Sequence, residues 1–364
     1  MGSRFPPLPT VSDLVRLYKL RAKKQLSQNF LLDMNLCHKL VKAAGDIGGA
    51  HVCEVGPGPG GITRAILQKD VQKLSVIELD KRFLPSLEVL QQSSAGKLDI
   101  HMGNIMKYDM ESLFPESSSR VWNDKPPNIH IIGNLPFNVS TPLIIQWLEQ
   151  ISNRTGAWKF GRAKLTLTFQ HEVARRIVAD INTEDRCRLS IMCQYLCDVN
   201  LKFVIPGSAF VPPPKVDVGV VRFVPKKYPI INLPFKLVEK VTQHLFHYRQ
   251  KKCIRGAQDL FPVDKPELVD EMFQIADIDP SLPCFKLGVE EVGRLCHVYQ
   301  HICQRYPFIW DYNYRDQKSV YLTKLRQVDF MDQGTITSKD EDEKGNILTF
   351  DGNKNKECST DIQN

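Results

Sequence analysis

The run Ile131-Ile132-Gly133-Asn134-Leu135-Pro136-Phe137 is apolar until it meets an amide, a proline and an aromatic ring, none of which a strand requires. Asn134 offers a side-chain amide with two donors and an acceptor, Leu135 a backbone carbonyl, and Phe137 a flat ring. Pro136 has a fixed φ and no N–H, so it sets how the chain leaves the strand and how the other three lie relative to one another. Such a set suits a planar base with an exocyclic amine, stacked on its face and bonded at its edge. The same residues also read as an Asn-Pro turn leading into a helix near Ser140-Thr141-Pro142.

A strand must hold these groups in place. Residues 128–132 form a short run, apolar apart from Asn128 and His130 and rich in β-branched isoleucine, which fits a central parallel strand covered on both faces. Asn134 then sits at the strand's carboxyl end, where open α/β sheets bind ligands. Upstream, His51-Val52-Cys53-Glu54-Val55 followed by Gly56-Pro57-Gly58-Pro59-Gly60-Gly61 reads as strand, glycine-rich turn, helix. Taken as G-x-G-x-x-G through Gly56, Gly58 and Gly61, the turn passes for a dinucleotide fingerprint, a weak signal alone. Glu54 just before it, and the stiff Pro57 and Pro59 where a pyrophosphate needs free amides, point away from a dinucleotide.

A second strand over 73–79 ends in Glu78-Leu79-Asp80, and Glu78 follows Gly56 by 22 residues, near the offset of an acid that binds a ribose diol. Asp80 suits a helix N-cap better. A third strand over 97–102 leads to Gly103-Asn104-Ile105, bringing another amide to the same end of the sheet. Strands over 164–170, 200–205 and 216–223 and helices over 142–151 and 172–181 complete an α/β, Rossmann-like alternation, with a further helix opening after Arg186. Between the last two strands, Phe210-Val211-Pro212-Pro213-Pro214-Lys215 is stiff and extended. It reads as a second stacking ring with a phosphate-binding lysine, or as a rigid edge connection.

From residue 235 the pattern is helical, over 235–252, 266–277 and 289–306, which makes a small all-α unit. Its first helix ends in Arg249-Gln250-Lys251-Lys252 with His244, His247 and Tyr248 interleaved, a mixture suited to an RNA backbone and also to a helix C-terminus. Residues 1–27 carry six arginines and lysines against the single acid Asp13, with Leu14, Leu17 and Leu20 at helical spacing. That composition fits a transit peptide or a basic amphipathic helix. The last 34 residues, 331–364, hold eight acids against four lysines and are expected to be disordered; the other 330 hold 44 basic against 33 acidic groups, a balance that favours a polyanionic partner. No apolar run approaches the ~20 residues of a membrane span. The ten cysteines are scattered without metal-site spacing and read as reduced thiols of an intracellular protein.

Five motifs in order, Gln28-Asn29-Phe30-Leu31, Glu54 to Gly60, Glu78-Leu79-Asp80, Gly133 to Phe137, and Phe210 with Pro214-Lys215-Val216-Asp217, resemble the small-subunit rRNA adenine N6,N6-dimethyltransferase family. The segment Pro6-Pro7-Leu8-Pro9 and Ser140-Thr141-Pro142-Leu143-Ile144-Ile145 are most similar to its mitochondrial members. The resemblance implies an S-adenosylmethionine-dependent, seven-stranded Rossmann-like domain over 28–230, with its last strand antiparallel, and an RNA-contacting helical domain over 231–330. It implies a substrate of two adjacent adenines in the hairpin near the 3′ end of small-subunit rRNA, free or in an assembling mitochondrial subunit. A monomer in the mitochondrial matrix is expected. Carried over by position, Gln28, Asn29 and Leu31 close over the cofactor, Gly56 packs under its methionine part, and Glu54, Gly58, Leu79 and Asn134 also bind it. Glu78 meets its ribose, and Asn104 with Ile105 its adenine. Asn134, Leu135, Pro136 and Phe137 are the catalytic set, and Phe210, Lys215, Arg249, Lys251 and Lys252 meet the RNA. Asn104 stands where the family usually has aspartate, so weaker cofactor binding is expected. A non-catalytic reading on the same fold, a mitochondrial transcription or ribosome-assembly factor, is the alternative.

Overall fold

The computed structural model describes residues 9–19 and 28–316. Positions 1–8 and 20–27, which hold most of the basic N-terminal segment, and the acidic tail 331–364 lie outside the described residues. Seven strands form one sheet: β1 (His51–Val55), β2 (Lys73–Glu78), β3 (Leu98–Met102), β4 (Ile129–Gly133), β5 (Lys164–Gln170), β6 (Cys197–Ile205) and β7 (Val218–Pro225). The spatial order is β3-β2-β1-β4-β5-β7-β6. The first five strands pair in parallel, and β7 runs antiparallel to both of its neighbours. Chain order reverses between β1 and β4, and a crevice opens beyond the carboxyl ends of strands at such a point. Every residue of β4 is buried, which is why its sequence is apolar without alternation.

Helices cover both faces. On one side α2 (Met34–Ala43), α3 (Gly61–Leu67) and α4 (Leu84–Ser93) bury Leu40, Ile66 and Leu87 against Val52, Val76 and Ile132. The N-terminal helix α1 (Val11–Leu17) opens with a Thr10–Asp13 capping box and buries Val11 and Leu14, while Leu17 is exposed. On the other side α5 (Phe137–Asn153), α6 (His171–Val178) and α7 (Arg188–Gln194) pack Trp147, Ile177 and Ile191 onto Ile131 and Leu165. The remaining helices are α8 (Phe235–Leu245), α9 (Cys253–Ala257), α10 (Glu267–Ala276), α11 (Val289–Arg305) and α12 (Phe308–Asp311). Their buried residues, among them Val241, Met272 and Leu295, are continuous with the α5 side of the core. No helix among the described residues is long and apolar enough to cross a membrane, and the nine cysteines described are unpaired thiols.

Two elements differ most from the sequence reading. Helix α5 starts at Phe137 instead of 142 and carries Pro142 inside it. A proline there removes one backbone donor, whereas burying Leu143, Ile144, Trp147 and Leu148 on the continued helix gains several kcal/mol, so packing prevails. Helix α8 stops at Leu245 instead of 252. The chain folds back so closely that a Cβ on Gly256 would lie 2.4 Å from the His244 carbonyl oxygen, which leaves Arg249, Lys251 and Lys252 in a turn.

Arg186 joins the C-terminal helical part to α6 and α7, the helices that cover the sheet. The residue is 1% exposed, and its guanidinium donates to the carbonyls of Leu287 (2.9 Å) and Ala179 (2.9 Å) and to Gln194 Oε1 (3.2 Å). Arg186→Ala strands those acceptors, and we expect chemical denaturation to show a loss of about 3–5 kcal/mol.

Candidate active site

The cleft at the carboxyl ends of β1, β2 and β4 has two adjoining halves that share Gln28, Gly56, Glu78 and Pro136. Leu31, Gly58 and Asn134 line one half; Leu79, Asn104, Ile105 and Leu135 line the other. Gly56, at φ 68°, holds a left-handed conformation that favours glycine, and its Cα faces Leu135 across the cleft, where a Cβ would come within 3.5 Å of the Leu135 side chain.

Asn134 is held from two sides. Its Nδ2 donates to the Asn29 carbonyl at 3.2 Å, and its Oδ1 accepts from Thr168 Oγ1 at 2.8 Å. Parallel pairing sets Gly133 opposite Leu167, so the next residue of each strand comes together. Thr168 is fully buried, and sequence reasoning did not single it out. The signal for it was present: β5 alternates Leu165, Leu167 and Phe169 with Thr166 and Thr168, two hydroxyls on the face opposite the leucines.

Three acids crowd the glycine-rich turn. Glu78 is 6% exposed and accepts from the N–H groups of Gly58 (3.0 Å) and Asp80 (2.8 Å). Burial raises its carboxyl's pKa against those bonds. Asp80 is paired with Arg82, whose bonds hold its carboxyl at about 2, and it also accepts from Gln28 Nε2 at 3.3 Å. It caps the short turn Lys81–Phe83, the N-cap role read for it. Glu54 lies behind the turn instead of in the cleft. Its Oε2 accepts from Thr63 at 2.6 Å, its Oε1 has no hydrogen-bond partner among the described residues, and burial pushes its carboxyl up to about 8.

The remaining expected residues are placed less centrally. Phe137 opens α5 and is half-buried against the core. Phe210 pairs with Leu31 in a two-residue strand and is 2% exposed. This corrects the reading of Phe210 as a stacking ring: a side chain buried in the core has no face to offer a base. Lys215, Lys251 and Lys252 are exposed, and Arg249 donates to the Glu184 carbonyl at 3.0 Å. None of these four lines the cleft.

A family model described as ribosomal RNA adenine dimethylase matches residues 19–280. The chain belongs to that family. As a member, its cofactor is S-adenosylmethionine and its reaction class is adenine dimethylation in rRNA. Dimethyladenosine transferase 1, mitochondrial, of Xenopus laevis is 50% identical over 340 residues, 93% of this chain and 96% of that one. The Homo sapiens protein of that name is 52% identical over 315 residues, 86% and 91% of the two chains. Among solved structures, a dimethyladenosine transferase from Plasmodium falciparum superposes with a TM-score of 0.58 at 20% identity, over 74% of this chain and 96% of that one. The 23S rRNA methyltransferase ErmE superposes with a TM-score of 0.53 at 19% identity, over 75% of this chain and all of that one. Both support the fold of the family.

The cleft fits that cofactor: an open glycine-rich turn, a buried carboxylate at the end of β2, and apolar Leu79, 55% exposed, and Ile105 flanking Asn104. Asn104 Oδ1 caps the following turn by accepting from Met106 N–H at 3.0 Å. Asn104→Asp keeps that cap and adds a charged acceptor, so calorimetry should give S-adenosylmethionine a dissociation constant about three- to tenfold lower.

Glu54 sets a pH dependence. Because its folded carboxyl titrates near 8, above an unfolded value of about 4.3, the folded state binds the extra proton between those values. Stability therefore falls as pH rises through that window. Glu54→Gln should flatten the slope and, in thermal melts at pH 6 and pH 8, gain on wild type by on the order of 2 kcal/mol between the two.

Proposed function

We propose that the protein transfers methyl groups from S-adenosylmethionine to N6 of two adjacent adenines in the 3′-terminal hairpin of small-subunit rRNA, in the matrix of the mitochondrion. The substrate in this reading is the assembling mitochondrial small subunit. Residues 28–230 carry the chemistry, and residues 231–330 help to hold the RNA. What supports it most is the Asn134 amide, fixed by Thr168 and Asn29 at the end of β4 beside the cleft.

The bound cofactor supplies a methyl group that is already electrophilic on a sulfonium, so placement matters more than a strong base. The adenine amine is a poor nucleophile because its lone pair is delocalised into the ring. Asn134 Oδ1 takes the Thr168 hydroxyl on one lone pair and accepts from the amine on the other, while the Leu135 carbonyl accepts its second N–H. Those bonds favour the pyramidal amine that develops in the transition state. Asn134 positions and polarises; it has no titratable group and is not a general base. Phe137 stacks on the flipped adenine and replaces part of the stacking lost from the RNA. Gln28, held by Asp80, and Leu31 close the cleft above the cofactor, Glu78 receives the ribose hydroxyls, and Asn104 the adenine edge.

Single-turnover transfer of labelled methyl to the hairpin tests the reading. Asn134→Ala should lower the rate by at least about 100-fold. Thr168→Val should lower it by about five- to tenfold, one hydrogen bond's contribution, with RNA affinity unchanged. Wild-type rates in Asn134→Ala would sink the reading. RNA binding by wild type with no transfer would leave the transcription or assembly-factor alternative.

A further inference from the structure

Opposite the cleft, where β4 and β5 begin and β7 ends, three segments converge: residues 120–125, the end of α5, and residues 226–230. Trp122 Nε1 donates to the Lys227 carbonyl at 3.2 Å. Arg162 fastens the segments from below, donating to the carbonyls of Trp122 (2.9 Å), Asp124 (2.5 Å) and Pro225 (3.2 Å). The loops are thereby held as one preformed surface. On it Val121 is 69% and Tyr228 67% exposed. Arg154 closes α5 in a left-handed conformation, φ 55°, where glycine is the usual residue, and its guanidinium lies 5.1 Å from the Trp122 ring. Lys227 lies 5.4 Å from the Tyr228 ring. Arg120, Lys125, Arg154 and Lys227 are all exposed. None of the four forms an ion pair among the described residues, whereas Lys226 beside them pairs with Asp198.

Exposed cations beside an exposed aromatic ring, here Tyr228, suit single-stranded nucleic acid: the cations track phosphates and the ring stacks a base with little regard to sequence. We propose that this surface is a second RNA-binding platform, which takes an unpaired stretch of RNA with phosphates on Lys125, Arg154 and Lys227 and a base on Tyr228. The seven residues of β5 span roughly 20 Å, so the platform cannot touch the target adenines and must hold a flanking part of the same molecule. The proposal rests on an RNA substrate but on none of the cleft residues.

Fluorescence anisotropy of the full chain with two probes tests it: the hairpin alone, and the hairpin with a single-stranded extension of about 15 nucleotides. Wild type should bind the extended probe more tightly. Tyr228→Ala should weaken binding of the extended probe alone by about tenfold. Lys125→Gln combined with Lys227→Gln should reduce its salt slope by about two phosphate contacts. Methyl transfer to the bare hairpin should not change in either variant, which also shows that both are folded. Equal affinity of wild type for the two probes, or variants that bind the extended probe as wild type does, would overturn the platform and leave the surface to a protein partner. Failure of wild type to methylate the hairpin would instead count against the proposed activity.

Discussion

The hydrogen bond from Thr168 to Asn134 is the constraint on which the site depends. It exists because β4 and β5 are parallel neighbours in one register, so the residues just past Gly133 and Leu167 meet. A free asparagine amide can turn over and present nitrogen where oxygen is needed. With a hydroxyl on Oδ1 and the Asn29 carbonyl on Nδ2, only one orientation satisfies both partners. The hydroxyl is itself buried within the sheet, so the Asn134 amide inherits the rigidity of the core.

Around that amide, the three acids are managed in different ways. Asp80 is paired with Arg82 and stays charged. Glu78 is buried yet receives two backbone N–H groups. Glu54 has one hydroxyl and, among the described residues, no paired cation, and burial favours its proton. Graded neutralisation lets three carboxyl groups share one turn, since like charges packed together cannot all ionise. Only Glu78 and Asp80 face the cleft.

Much of this was legible in the sequence because it follows from local rules. The uninterrupted apolar run of β4 announces a strand buried on both faces, the glycine-rich turn follows β1, and the amides at 104 and 134 stand at strand ends. What was not legible depends on pairing between distant segments. Thr168 meets Asn134 only through the β4–β5 register. Phe210 is buried only because its strand pairs with Leu31, far away in sequence. Glu54 immediately precedes Val55, which lines the cleft, and so points away from it, because successive side chains of β1 alternate between faces. The basic run at 249–252 looks like a helix end until Gly256 permits a reversal that no periodicity records.

The central claim is that this geometry dimethylates adenine, and counting the methyl groups tests it most directly. Mass spectrometry of the 3′-terminal small-subunit hairpin, after exhaustive reaction with saturating S-adenosylmethionine, should find two methyl groups on N6 of each of two adjacent adenines. A hairpin that is bound by the protein but returned unmodified, or modified at any other atom, would contradict the account.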